Sequence, residues 1–439
     1  MIARRTFSLL TTLLVVAATL RAQGPPAVIA QPDHGFIDAV NGLSLDDAIA
    51  RALGDDPTIL GVRQQLGAAQ GERLQAGLRP NPTVALEQRT EPAGSDSLTT
   101  AGIEWPLDLF RRPAREAVAD ARVRAVSHGI ADRERLLIAG VRATYGDVLV
   151  AIRQLTVLER IIGATSGQLA VVAARVDEGR SARLERDLLQ EEVGRLEADR
   201  LLQIGAVEGA LMELKRRLGL PSYVPLTVTQ GLEAQVLSEG EVPPPADEPG
   251  DRPDIRAAEA LVDVAAASLH RAKQEGRFDA SLYGGYMRMD AGFAQLGLLP
   301  DGSTARVRGV FHYLTGGVRV TWPLRNRNQG AVAAARAELS GTQSSLGAAR
   351  LSADAEQAAA TARDSRARAA VGIYTRDLLA LARQNLSTVE QSYELGRLTL
   401  LDVLMQRRRY LEVEQAYTEA MRAAYEARTA LLLATGDGR

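Results

Sequence analysis

Cysteine is absent from the 439 residues. That excludes disulfides, thiolate metal sites and a lipid-modified N-terminal cysteine. Histidine is scarce. His34, His128, His270 and His312 are scattered with no ligand spacing, so no metal site is expected. No phosphate-binding glycine loop and no nucleophile–base constellation occurs, and neither a cofactor nor a catalytic residue is expected. The chain therefore reads as a non-enzyme. Lysine is confined to Lys215 and Lys273, and nearly all the positive charge is arginine. The 52 basic residues are balanced by 54 acidic ones, which argues against nucleic acid as a partner. Aromatic residues make up only 4% of the chain, so the places where they gather carry weight. Beyond the N-terminus no apolar run reaches the length of a membrane-spanning helix.

Residues 1–22 read as a secretory signal. Arg4 and Arg5 supply the charged start, Phe7 to Leu20 the short apolar stretch, and Ala22 a cleavage point. Its removal takes away Arg4, Arg5 and Arg21 and leaves a net charge of about −5. Residues 23–43 hold Pro25, Pro26, Pro32, Gly35 and Gly42 and are expected to form an extended or mobile arm. Ser44 is placed to cap the first helix, with Asp46 and Asp47 in its first turn.

The dominant stretch runs from Pro113 to Glu178. Proline is favoured at the first helical position, where its missing N–H has no partner anyway. Val141, Val148, Leu155, Ile162, Leu169 and Val176 recur at intervals of seven, a seam that faces a partner helix. At ~1.5 Å per residue this helix is roughly 100 Å long. Gly179 ends it as a left-handed residue past a helix terminus, and Ser181 is placed to cap the return helix, 181–218. Such a rod is not the core of an ordinary globular domain. It reads as one wall of a helical tube or bundle.

The chain repeats its own plan. Trp105-Pro106-Leu107 recurs as Trp322-Pro323-Leu324, Gly179-Arg180 as Gly396-Arg397, and Leu184-Glu185 as Leu401-Asp402, all at one offset. Pro57 and Ile59 match Pro253 and Ile255 at a shorter one. The difference implies an insertion in the second copy around Met289 to Arg308, expected as an exposed loop tip. The first repeat spans 44–220: a helix, strands at about 82–90 and 98–109, the long helix 113–178 and the return helix. The second spans 254–436: a helix, strands at about 279–288 and 309–324, a long helix 328–394 and a return helix 398–434. The proline-rich segment 221–253 links them.

The strand segments alternate. Ile103, Trp105, Leu107 and Leu109 interleave with Gly102, Glu104 and Asp108; Val318, Val320, Trp322 and Leu324 interleave with Gly317, Arg319 and Thr321. Six of the scarce aromatics fall in these short segments: Trp105, Trp322, Tyr283, Tyr286, Phe311 and Tyr313. About ten residues with one apolar face and aromatics at the membrane interfaces are the mark of a transmembrane β-strand. Four strands cannot close a barrel, and an open edge cannot face lipid. Several chains must then share one barrel, and three would supply 12 strands.

At this point the residues resemble a known family, the TolC family of outer membrane efflux proteins. The resemblance rests on the duplicated plan, on Arg79-Pro80-Asn81-Pro82 entering the first strand, and on the run from Tyr393 through Gly396, Arg397, Thr399 and Leu401 to Asp402-Val403-Leu404. Asn326-Arg327-Asn328-Gln329-Gly330 is similar to the cation-efflux, CzcC-like branch. The resemblance implies a mostly α homotrimer with a small β part. A 12-stranded barrel would lie in outer membrane lipid, and a trimeric α-barrel in the periplasm. It further implies a passive duct served by a periplasmic adaptor and a proton-driven inner-membrane pump, carrying metal cations or small-molecule drugs. Gly396, Arg397, Leu398 and Thr399, with Gly179, Arg180 and Ser181, match the tips that adaptors recognise. Asp402 matches an acidic residue lining the closed tunnel end, while the second acidic position of the family is Met405 here. Read from the residues alone, Asp402 is equally a first-turn acid favoured by the helix dipole. Arg180 and Arg397 serve either the adaptor or the helix-end carbonyls, and Arg407, Arg408 and Arg409 either a solvated face or acids on the next helix. The competing reading of the whole chain is a secreted coiled-coil rod whose strands are soluble hairpins.

Overall fold

The computed structural model describes residues 35–92, 94–238 and 252–436. The expected signal segment, the first part of the arm and residues 239–251 of the proline-rich link lie outside the described residues.

The start of the described chain is pinned rather than extended. Leu43 N–H donates to the Thr227 carbonyl (2.8 Å) and Asp38 N–H to that of Val228 (2.9 Å), so residues 36–43 are strapped to the segment after the first repeat. Ser44 caps α1 (Leu45–Asp55), its hydroxyl accepting from Asp47 N–H at 3.1 Å. The first helix is then broken in two. Asp56 is extended and accepts from Thr58 N–H (2.7 Å), and α2 (Pro57–Gly77) begins with proline at its first position. The matching Pro253 opens α6 (Pro253–Glu275) in the same way.

The long helix is present as α3 (Arg111–Asp177). It begins two residues before Pro113, which sits in the first turn, where an absent N–H costs nothing. The seven-residue seam holds at Val141, Val148 and Leu155, all buried. It then steps back, by one position to Ile161 and by four to Thr165 and Val172, while Ile162, Leu169 and Val176 are only half-buried. In this lower half α3 has a neighbour on each side: α4 (Arg183–Arg217), its return helix, and α9 (Leu400–Thr435). Two neighbours require two seams, and 3.6 residues per turn do not keep one strict heptad on both. The second long helix, expected over 328–394, is α7 (Gln329–Ile373), a π turn at Tyr374–Leu378, and α8 (Leu379–Glu394).

At mid-height the helices meet a small cap formed by α1, α5 (Leu232–Ser238) and the strap. Here lies the largest core: Tyr145, Leu149, Ile152, Val207, Leu214, Val228, Leu232, Tyr417 and Met421. Toward the sheet the packing changes character. α3 buries mainly Ala114, Ala119 and Ala121, and surface ion pairs such as Arg63–Glu134 (2.7 Å) and Arg122–Glu72 (3.1 Å) tie it to α2.

The strands β1 (Thr83–Thr90), β2 (Ser97–Pro106), β3 (Asp279–Leu298) and β4 (Thr304–Thr321) form one antiparallel sheet in chain order. Two expectations are corrected. Strand β2 stops at Pro106, because Asp108 adopts φ 49° and turns the chain into α3; Leu107 and Leu109 are not part of it. The inserted segment 289–308 is not a loop. It lengthens β3 and β4 into a hairpin that extends past β1 and β2, turning only at 299–303. Inserted residues that pair with one another satisfy their own backbone groups, which a loop does not.

Candidate functional site

The chain has two ends with different chemistry, the paired helix turns and the sheet. The helix turns are built alike. In the first, Gly179 has φ 72°, its N–H donates to the Val176 carbonyl (2.9 Å) and Arg180 N–H reaches back to that of Arg175 (2.7 Å). In the second, Gly396 has φ 69°, its N–H donates to the Tyr393 carbonyl (2.9 Å) and Arg397 N–H to that of Ser392 (2.9 Å). Both are Schellman closures, in which glycine takes the left-handed position. The helix-end carbonyls are thus satisfied by backbone N–H groups, and the arginine side chains are not needed there. The Arg180 side chain pairs with Glu178, and Arg397 is exposed.

The starts of the return helices differ. Thr399 caps α9 with a reciprocal pair: its hydroxyl accepts from Asp402 N–H (3.3 Å) while Asp402 Oδ2 accepts from Thr399 N–H (2.9 Å) and Oγ1–H (2.6 Å). These bonds, the hydroxyl first, hold the Asp402 carboxyl below its usual range. Ser181, expected as the matching cap, is displaced by one residue. Ala182 occupies the cap of α4 and offers no side-chain bond.

The two turns lie side by side. Val172 of α3, Leu189 of α4 and Leu400 of α9 form a buried cluster, and the Tyr393 hydroxyl at the end of α8 donates to Glu185 of α4 (3.3 Å). Burial, and next the Glu185 carboxylate, push the Tyr393 hydroxyl up, so it stays protonated as a donor. Two turns further along α9, Arg407 is buried and bridges Thr165 (3.0 Å) and Gln168 (2.8 Å) of α3 and Glu390 (2.6 Å) of α8. Arg407 therefore partners an acid on a neighbouring helix, whereas Arg408 and Arg409 are exposed. Around this end Leu184, Leu395, Leu398, Leu401 and Met405 are exposed, an unusual density of bare apolar side chains. The pairing of Tyr393 with Glu185 and, Leu398 apart, the bare leucines were missed from sequence. Leu184 and Leu401 stand at the repeat offset, a signal that was available.

At the other end the sheet register sorts side chains onto two faces, since residues opposite one another in an antiparallel pair share a side. Trp105 lies opposite Leu282, which lies opposite Val318; Ile103 lies opposite Val84; Tyr286 lies opposite Ala101 and Leu314. This makes one continuous apolar face near the helices. The reverse face carries Glu104, which accepts from Ser281 Oγ (2.7 Å) and pairs with Arg319. Of the six expected interface aromatics, Trp105 and Tyr286 lie on the apolar face. Tyr283, Phe311 and Tyr313 lie on the reverse one, and Trp322 follows the end of β4, stacked on Phe278 at 5.5 Å. The outer edges of β1 and β4 have no strand partner among the described residues.

Among the described residues no helix is long and apolar enough to cross a membrane, and no group of three His, Asp or Glu is placed to hold a metal. The Asn326–Gly330 run is a structural turn. Asn328 has φ 60° and its amide donates to the Ala272 carbonyl (2.9 Å), beside Gly276, where a Cβ would meet the Arg327 carbonyl oxygen at 2.4 Å.

Long helical hairpins thus carry an amphipathic sheet whose two outer edges have no strand partner among the described residues. Residues 249–437 match the family model described as outer membrane efflux protein. The fold is shared with CusC, a structure described for transmembrane channel formation (TM-score 0.71, 19% identity, 89% of this chain and 92% of that one). It is shared also with the open state of the MtrE outer membrane channel of Neisseria gonorrhoeae (TM-score 0.71, 20% identity, 89% and 88%). A third is the outer membrane protein VceC of Vibrio cholerae (TM-score 0.68, 18% identity, 89% and 96%). No curated protein matches the sequence.

Proposed function

We propose that three copies form a passive exit duct, the outer-membrane component of a tripartite efflux system. The observation that carries this is the sheet: one apolar face flanked by two unpaired edges. Neither lipid nor water satisfies that arrangement in a single chain. Lipid leaves the edge N–H and C=O groups bare, and water leaves the apolar face bare. Joining β4 of one copy to β1 of the next removes both edges, and three copies give 12 strands. The helices would continue the barrel as a periplasmic tunnel.

At the far end, the exposed leucines beside Gly179–Ser181 and Gly396–Thr399 would dock a periplasmic adaptor. The bond from Tyr393 to Glu185 and the Arg407 bridge would hold the tunnel end narrow. Asp402 is occupied by its own helix cap and Met405 is uncharged, so any acidic ring at this end would be weak. The cargo would be small molecules or metal cations delivered by a proton-driven inner-membrane pump.

The test is to extract outer membranes with detergent after salt and urea washes and to measure the mass of the protein. A washed-resistant trimer is expected. A monomer or dimer that washes off, soluble without detergent, would overturn the duct in favour of a secreted rod.

A further inference from the structure

The apolar face of the sheet changes sides partway along. In the rows nearest the helices, up to Leu86, Ala101, Tyr286 and Leu314, it is the face shared with Trp105. In the next rows that same face turns polar: Gln88, Thr99, Arg288 and His312, then Ser97 and Asp290, with Val310 the exception. The reverse face, which carried Glu104 and Arg319 below, now carries Met287 opposite Tyr313, then Leu98 opposite Met289 and Phe311. Phe293 follows, edge-to-face with Phe311 at 5.4 Å.

The inversion is a property of the residues, not of the backbone. Strand β2 pairs without a break, and the first irregularity between β3 and β4 falls between Gly292 and Leu296, beyond this cluster. With no bulge, parity is kept, and a residue cannot cross to the other side. Side-chain contacts agree. Tyr286 and His312 bond to each other at 2.6 Å on one face, while Arg319 lies over the Tyr283 ring on the other. Past the irregularity, Leu296 returns to the first face, opposite Arg306.

We propose that this cluster is an apolar exit ring on the tunnel side of the barrel, made by three copies of Leu98, Met287, Met289 and Phe311. The proposal rests on the shared-barrel reading above. There the face with Trp105 must meet lipid, because the reverse face holds the Glu104–Arg319 pair, which hydrocarbon would not accept. The cluster shares that reverse face and so points into the duct. It sits where the lipid-compatible face has already ended, near the outer mouth. The occupants facing each patch are the same patches of the other two copies. A 12-stranded barrel is wider than side chains can fill, so the ring narrows the mouth and resists wetting instead of plugging it. Glu87 and Arg89, paired on β1 at 3.4 Å, form a charged flank beside it.

The experiment uses purified full-length trimers in planar bilayers, reference and variants alike carrying Tyr393→Phe, which removes the bond to Glu185 so that the tunnel end does not limit the current. The double variant M289S/F311S is compared with His312→Ser, whose side chain lies next in sequence on the opposite face. M289S/F311S is expected to raise single-channel conductance by at least about twofold, by wetting the ring. His312→Ser is expected to leave it unchanged. An unchanged M289S/F311S conductance, or an equal rise with His312→Ser, overturns the ring and leaves the duct standing. Absence of any conductance from the Tyr393→Phe reference trimers overturns the duct itself, and the ring with it. If the double variant does not assemble, Phe311→Cys in this cysteine-free chain, labelled after assembly with a sulfonated thiol reagent, gives the same comparison against His312→Cys. A conductance change confined to position 311 supports the ring, and one confined to 312 overturns it.

Discussion

Arg407 shows how one side chain can join three helices. It is buried, and its partners come from α3 and α8 while it belongs to α9. Removing one member of such a group strands the others. Arg407→Ala is expected to cost about 3 kcal/mol of stability, and much less when Glu390→Gln is already present. Thermal denaturation of the four members of the double-mutant cycle measures the difference, and additivity would show that the bridge contributes nothing. Asp402 is a surface counterpart. Its carboxyl is held below the usual range by the Thr399 hydroxyl and N–H. The stability it gives is therefore present above the ordinary carboxylate pKa and is lost as the pH falls through its lowered value. In Asp402→Asn that acid-side loss should vanish from the pH dependence of stability.

At the scale of elements, the two helix turns invite comparison because they share a closure but not a cap. Glycine at φ near 70° is required in both, and proline, fixed near φ −65°, cannot take that position. Gly396→Pro is expected to abolish export while the trimer still assembles, measured by efflux and by detergent-extracted mass. Normal export by an inserted Gly396→Pro trimer would remove the adaptor-docking assignment. The cap difference is testable separately. Thr399→Ala should cost about 1 kcal/mol and speed amide exchange in the first turn of α9, whereas Ser181→Ala should change nothing in α4. The hidden constraint higher in the rod is Gly146, where an added Cβ would sit 2.3 Å from the Tyr425 ring. Gly146→Ala should lower stability by about 1–3 kcal/mol through the α3–α9 contact, with no effect at the turns.

For the whole molecule, the single chain is half of an argument. Its sheet ends in two bare edges, its upper helices bury mostly alanine, and its large apolar core is confined to mid-height around Tyr145 and Tyr417. That core ties the strap, α1 and α5 to α3, α4 and α9, so it links the start of the chain to both repeats. Burial, and next Glu233, push the Tyr417 hydroxyl up to about 12 while the Arg153 guanidinium lies over its ring at 4.9 Å. A protomer built this way gains most from copies of itself at the two levels where its own core is thin.

The sequence by itself determined the elements that depend on near neighbours. Capping serines and threonines, prolines at first turns, glycines at φ-positive stops and the duplicated order of helix and strand all act over a few residues, and all are readable from spacing. What only the tertiary structure decided depends on which residues lie opposite each other across long separations. The insertion became a paired hairpin instead of a loop because its two halves satisfy each other's backbone. The heptad seam shifted because α3 has two neighbours below mid-height. Tyr393 met Glu185 because the two helix turns lie side by side, and Arg407 met Glu390 and Thr165 because α9 runs between α3 and α8. The sorting of Trp105 and Tyr286 from Tyr283, Phe311 and Tyr313 came from strand register, and register is a relation between strands that no single strand contains.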